Sequence, residues 1–117
     1  MSATHLTQLI GGESRASSSG VVLDVFEPAT GSACATCPSG TQADVDAAVH
    51  AARAAFPAWS ALPNDARAAW MLRLADALEA RLEDFAQAES RDAGKPLRLV
   101  REIEIPRAVS NLRFFAA

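Results

Sequence analysis

The stretch TQADVDAAVHAARAAFPAWS, residues 41–60, decides how the rest of the chain is read. Thr41 and Asp44 stand three apart, the spacing of a capping box, in which the first side chain accepts a backbone N–H from the new helix and the second reaches back to the cap. Val45, Val49, Ala52, Phe56 and Trp59 then recur every three or four residues, which lays one apolar face along a helix. Pro57 and Pro63 bracket its end. The composition changes at Thr41. Before it, β-branched residues, Gly and Ser dominate. After it, Ala, Leu and Arg follow helical spacing.

Upstream, Leu9-Ile10 and Gly11-Gly12 predict a short strand and a turn, and Ser17 to Gly20 a polar loop tip. Val21 to Phe26 is a β-rich run. Pro28-Ala29-Thr30-Gly31 supplies turn chemistry, and Ser32 to Pro38 is a second strand closed by Pro38 and Gly40. The pair predicts a hairpin, which is marginal in water by itself and needs a surface to dock on. Cys34 and Cys37 form a C-x-x-C inside that strand. A zinc site would need two further ligands, and His5 and His50 stand alone. Residues i and i+3 of a regular strand point to opposite faces, which hinders a disulfide. The two thiols are therefore expected to be incidental.

Downstream, Asn64-Asp65 opens a second helix, with acid at the positive end of its dipole. Trp70 or Met71, Leu74 and Ala77-Leu78 form its expected stripe. Leu82, Phe85, Ala86 and Ala88-Glu89 continue into a third segment that Gly94 stops, with Pro96 just beyond. A last helix runs from about Leu97 to the chain end through Val100, Ile103, Val109, Leu112 and Phe115-Ala116. Pro106 interrupts it, with a lost hydrogen bond and a kink as the expected result. The ending Phe114-Phe115-Ala116-Ala117 has no cap and suggests a cut within a larger fold.

The chain has 117 residues, a net charge of −3, half its residues hydrophobic and 21% charged, which places it among ordinary soluble globular domains. Mild acidity gives no reason to expect nucleic acid or an anionic membrane as a partner. No apolar run nears the ~20 residues of a spanning helix. Met1 to Gln8 lacks the pattern of a signal peptide, so the cytoplasm is the expected compartment.

In order, the pieces resemble the opening of the aldehyde dehydrogenase superfamily. The stretches that carry the resemblance are Leu9-Ile10-Gly11-Gly12-Glu13, Glu27-Pro28-Ala29-Thr30-Gly31 and Ala43-Asp44-Val45-Asp46-Ala47-Ala48-Val49. Ala51 to Trp59, Arg67, Leu74-Ala75-Asp76-Ala77-Leu78-Glu79 and Glu89-Ser90-Arg91-Asp92-Ala93-Gly94-Lys95-Pro96 continue it. The series covers almost the whole chain. Ile105-Pro106-Arg107-Ala108-Val109 and Asn111 to Ala116, with Phe85 to Ser90, are similar to the 2-aminomuconic and 2-hydroxymuconic semialdehyde dehydrogenases.

The resemblance implies an α/β, aldehyde dehydrogenase-like fold for an intact protein. This chain would be mostly α-helical with an N-terminal β-hairpin. Residues 1–40 would form the hairpin region, and residues 41–117 the leading helices of a truncated cofactor-binding domain. It implies oxidation of a carboxylate-bearing semialdehyde to the acid, with NAD or NADP as cofactor, a small-molecule aldehyde as substrate and a homo-oligomer as the working form. In the resembling group, the arginine after Ile-Pro holds the substrate carboxylate. That residue is Arg107, with Ile103 one turn earlier on the same wall. A guanidinium pairs with a carboxylate in two places, yet Arg107 could also be a surface arginine near a helix end. The family's monovalent-cation site would use Asp92 and backbone carbonyls near Val25 and Phe26. Asp92 could instead cap the Gly94 turn or pair with Lys95. Lys95 itself lacks a glycine-rich loop and is expected to be solvated.

The resembling enzymes use a cysteine thiolate, a glutamate base and a dinucleotide cofactor. No residue of this chain matches the catalytic ones, and there is no G-x-G-x-x-G. The chain alone is therefore expected to bind no cofactor, to be inactive, and to be loosely packed or prone to aggregate. The alternatives are a non-catalytic helical interaction module, or part of a betaine aldehyde or succinic semialdehyde type of enzyme.

Overall fold

The capping box forms as the sequence predicts. In the computed structural model, which describes residues 4–117, Thr41 Oγ1 accepts the Asp44 N–H at 3.3 Å and the Asp44 carboxylate accepts the Thr41 N–H at 2.8 Å. Helix α1 follows over Gln42–Ser60. Pro57 does not end it. A proline in the last turn forfeits only one backbone bond, and the Ala61 N–H closes the helix on the Pro57 carbonyl at 3.1 Å.

Five strands precede α1: β1 Thr4–His5, β2 Gln8–Ile10, β3 Glu13–Arg15, β4 Val22–Glu27 and β5 Ser32–Pro38. The expected hairpin is the antiparallel pair β4–β5. β1 adds to β5 in parallel, giving the order β1-β5-β4. β2 and β3 form a second hairpin, of which the sequence predicts one strand and the turn. Gly11 and Gly12 both have positive φ, 64° and 82°, the backbone of a two-residue turn that a side chain resists. A Cβ on Gly11 would sit 3.8 Å from Ala51 Cβ, so α1 packs on this turn through small residues. Its large residues Val45, Phe56 and Trp59 are exposed instead.

Ser17 to Gly20 is no loose tip. Ser17 is 7% exposed, and its hydroxyl donates to the Ser39 carbonyl and, at 2.9 Å, to Asp44. The Ser18 N–H donates to the same carboxylate at 3.0 Å. One aspartate thus ties the loop before the hairpin to the start of α1.

Along β4–β5 the register steps from Val25↔Ala35 to Phe26↔Ala33, which leaves Cys34 as the extra residue of a β-bulge. The bulge breaks the regular alternation that would set Cys34 and Cys37 on opposite faces. Distance keeps them apart: three extended residues span about 10 Å, beyond the ~7 Å between Cα atoms that a disulfide tolerates. Both cysteines are free.

The described chain divides into two compact units, one up to Ala61 and the other from Leu62. The first therefore holds α1 together with the strands, past the change of composition at residue 40. The second is helical: α2 Asn64–Ala80, α3 Leu82–Ala93, a short α4 Leu97–Leu99, a π turn Val100–Glu104, and α5 Ile105–Ala116. Gly94 ends α3 in the left-handed conformation (φ 70°), as predicted. α2 packs on α5, and α3 on the π turn and α5. Ala75, Ala86, Val100 and Val109 are the buried apolar residues of this unit. The inward face of α2 is thus centred on Ala75, with Met71 and Leu78 half-buried. Trp70 and Leu74 of the expected stripe are exposed. The Arg73 guanidinium lies 4.2 Å from the centre of the Trp70 ring.

Pro106 sits in the first turn of α5, and the irregularity falls before it rather than at it. In an uninterrupted α-helix, the nine residues from Val100 to Val109 would advance about 900°, placing the two side chains on opposite sides. The π turn, where the Ile105 N–H donates to the Val100 carbonyl, inserts about one residue and takes back roughly 100° of that rotation. It also moves the carbonyl that the Pro106 ring would otherwise crowd. No helix of the described residues is long and apolar enough to cross a membrane.

Asp44 is the testable element of the first unit. The Thr41 N–H, then the Ser17 hydroxyl and the Ser18 N–H, hold its carboxyl far below the usual carboxylate range. A depressed value contributes stability that is fully present above the unfolded pKa of ~3.9 and is lost as pH falls below it. Asp44→Ala is expected to lower the melting temperature at pH 7, and that difference should shrink progressively as pH falls below about 4. Thr41→Ala, which removes the cap and the hydroxyl's bond with Ser18 but keeps the Thr41 N–H on Asp44, should cost about 1 kcal/mol. Thermal melts followed by circular dichroism across this range check both.

Candidate functional site

Of the residues singled out by sequence, Asp92, Lys95, Ile103 and Arg107 lie in the second unit, where α3 ends and α5 begins. The Gly94 turn lets the chain reverse after α3, and the Ser90 hydroxyl donates to the Lys95 carbonyl at 2.7 Å. Lys95 is not solvated. Its Nζ donates to Glu89 Oε1 and to Glu104 Oε2, each at 2.8 Å. These two bonds, that to Glu104 foremost, raise its pKa above that of an ordinary lysine. Glu104 is the last residue of the π turn, so the Lys95 turn is fastened to the start of α5.

Arg101 makes a second fastening. Its Nε and Nη2 each donate to the Glu83 carboxylate at 2.7 Å, a planar fork on a carboxylate. That pairing, with a further hydrogen bond from Gln87, holds the Glu83 carboxyl down to about 2. Both links run between the π turn and the α3 segment. A π turn persists where the surroundings over-determine it. Here the buried Val100 and the two ion pairs do so.

Arg107 emerges one turn beyond, exposed. Nearly every other cation of this unit has a partner. Arg67 bonds Asn64, Arg81 bonds Asp84 and Arg98 bonds Glu102. Arg113 crosses from α5 to Asp76 and Glu79 of α2. Among the described residues, Arg107 makes no hydrogen bond or ion pair, and its five donors are open to an anion. Ile103, four residues earlier, is 54% exposed. The structure thus presents a free guanidinium and an apolar side chain on successive turns.

Asp92 is exposed in the last turn of α3. The Val25 carbonyl, in the first unit, accepts the Cys34 thiol at 3.4 Å. Their role in holding a cation rests on the resemblance alone. Among the described residues no group of three or more His, Cys, Asp or Glu gathers that could hold a metal ion.

The aldehyde dehydrogenase family matches residues 15–117. The chain belongs to that family. It is 47% identical over 112 residues to the 2-aminomuconic semialdehyde dehydrogenase of Bos taurus, covering 96% of this chain and 23% of the relative. It is 38% identical over 113 residues to the 2-hydroxymuconic semialdehyde dehydrogenase of Pseudomonas sp. strain CF600, again over 96% and 23%. Its backbone superposes on an NAD+ complex of an aldehyde dehydrogenase from Bacillus cereus with a TM-score of 0.92 and 33% identity, over 96% of this chain and 23% of that one. The chain therefore spans 23% of the length of these relatives. The family resemblance and the helix-rich piece of an α/β dehydrogenase fold are both borne out.

The sequence missed the Lys95–Glu104 and Glu83–Arg101 links. Glu83 and Arg101 lie eighteen residues apart on different elements, and no local periodicity joins them. Replacing Lys95 with Met would leave Glu89 and Glu104 facing each other without their cation. Amide hydrogen exchange at Ile105, Arg107 and Ala108 is expected to quicken by about three- to fivefold, the scale of partly exposed pairs. Lys95→Arg should restore most of the protection, and unchanged exchange in Lys95→Met would remove the link from the account.

Proposed function

We propose that this chain forms the N-terminal part of an NAD(P)-dependent aldehyde dehydrogenase that oxidises a carboxylate-bearing semialdehyde to the acid, and that Arg107 receives the carboxylate. The single observation that carries this reading is the unpartnered guanidinium of Arg107, in a unit where most cations are paired. An anion of fixed geometry suits it, and a planar fork orients a substrate whose other end is the aldehyde. Ile103 would line the same wall. The relatives named for muconic semialdehydes support the substrate class, and the NAD+-bound Bacillus cereus relative supports the cofactor.

On this reading the exposed stripes of α1 and α2, among them Phe56, Trp59, Trp70 and Leu74, pack against the remaining three quarters of the enzyme. The thiolate, the general base and the cofactor fold would lie there. The 117 residues alone would turn over no aldehyde.

The test is a chimera in which this chain replaces the matching part of the Bos taurus relative. Arg107→Met should lower kcat/KM for a carboxylate-bearing semialdehyde by about 10- to 150-fold, the value of hydrogen bonds between charged groups. For an uncharged aliphatic aldehyde the change should stay within about threefold. Equal losses for both substrates would overturn the assignment of Arg107.

A further inference from the structure

Arg107 has a carboxylate within reach on its own helix and does not pair with it. Side chains three or four positions apart on a helix are neighbours. Around Arg107 those positions hold Ile103, Glu104, Ser110 and Asn111, so Glu104 carries the one carboxylate among them. Glu104 and Ile105 have helical backbone, with φ −73°, ψ −48° and φ −66°, ψ −45°. The neighbourly spacing therefore holds from Glu104 to Arg107. An acid on the N-terminal side of a base at this spacing ordinarily pairs with it. Here the Lys95 Nζ donates to Glu104 Oε2 at 2.8 Å instead. The same Nζ donates to Glu89 of α3, so the Glu104 carboxylate is drawn toward α3 rather than along α5. The Ser90 hydroxyl on the Lys95 carbonyl fixes the backbone from which Lys95 reaches.

We infer that Lys95 is a positioning residue for substrate recognition: by holding the Glu104 carboxylate, it keeps Glu104 from neutralising Arg107. The inference rests on the assignment of Arg107 to the substrate carboxylate. A guanidinium paired within its own helix receives a substrate only in the fraction of molecules where that pair is open, and the apparent affinity falls by that fraction. For an exposed pair at helical spacing the fall is about two- to fivefold. Lys95 removes this competition without touching the substrate. It acts through Glu104 and Arg107, and its effect is confined to substrates that carry an anion for Arg107 to receive.

The experiment is a double-mutant cycle in the chimera with the Bos taurus relative. Lys95→Met should raise KM for a carboxylate-bearing semialdehyde about two- to fivefold. Both kcat and the KM for an uncharged aldehyde should stay within about 1.5-fold. Adding Glu104→Gln to Lys95→Met should restore KM, whereas Glu104→Gln alone leaves it in place, because that carboxylate is already held. Lys95→Arg keeps the cation and should keep KM low. Where Arg107→Met confirms the carboxylate site, an unchanged KM in Lys95→Met overturns the inference. So does a rise that Glu104→Gln fails to relieve, since Lys95 then acts only by supporting the π turn. An equal effect of Glu104→Gln with and without Lys95 also overturns it, because the charges then act independently. Where Arg107→Met shows no such site, NMR on the 117-residue chain decides. The Arg107 Nε–H should exchange with solvent about two- to fivefold more slowly in Lys95→Met than in the unaltered chain, and equal exchange rejects the pairing. If Lys95→Met fails to fold by circular dichroism, adding Glu89→Gln relieves the facing carboxylates and leaves Glu104 free to pair, and the same comparisons decide.

Discussion

Val100 and Val109 have to face one core, and a straight α-helix would turn them apart. That constraint shapes the second unit. The π turn at Val100–Glu104 absorbs the phase error, and the ion pairs from Lys95 and Arg101 hold the wider turn in place. Because Val109 points inward, Arg107, two residues earlier, points away from the core by about 200° of helical rotation. The free guanidinium is thus a consequence of how the core is phased.

The first unit solves a different problem with one carboxylate. Asp44 accepts from Thr41, Ser17 and Ser18, joining a helix cap to a loop that precedes it by more than twenty residues. This unit has little apolar interior, with Ile10 and Ala35 as its buried hydrophobic residues among those described. Polar satisfaction at the cap therefore carries more of the local order than it would in a larger core. The packing surfaces are small: alanines of α1 against the Gly11 turn, and Ala75 and Ala86 in the helical unit. Close approach of backbones replaces interlocking of large side chains.

The large apolar side chains stand mostly outside. Phe56, Phe114 and Phe115 are 64%, 73% and 70% exposed. A monomeric protein seldom leaves so much apolar surface uncovered. The family match gives the physical context, since relatives of this chain extend well beyond the part it resembles. Apolar stripes that look like core faces in the sequence are core faces only when the facing surface is present.

Local chemistry was legible by itself. The Thr41–Asp44 box, the Gly94 stop, the β4–β5 hairpin and the ordered motifs of an aldehyde dehydrogenase are all set by residues within a few positions of one another. At that range, backbone preference and capping decide the outcome. The sequence also singled out Arg107. Its lack of a partner, the pairing of Lys95 with Glu89 and Glu104, the bulge at Cys34 and the inward turn of Ala75 in place of Leu74 were decided by tertiary structure alone. Each depends on which distant group comes within a few ångströms, and hydrogen bonding, ion pairing and close packing are fixed by distance in space rather than by separation along the chain.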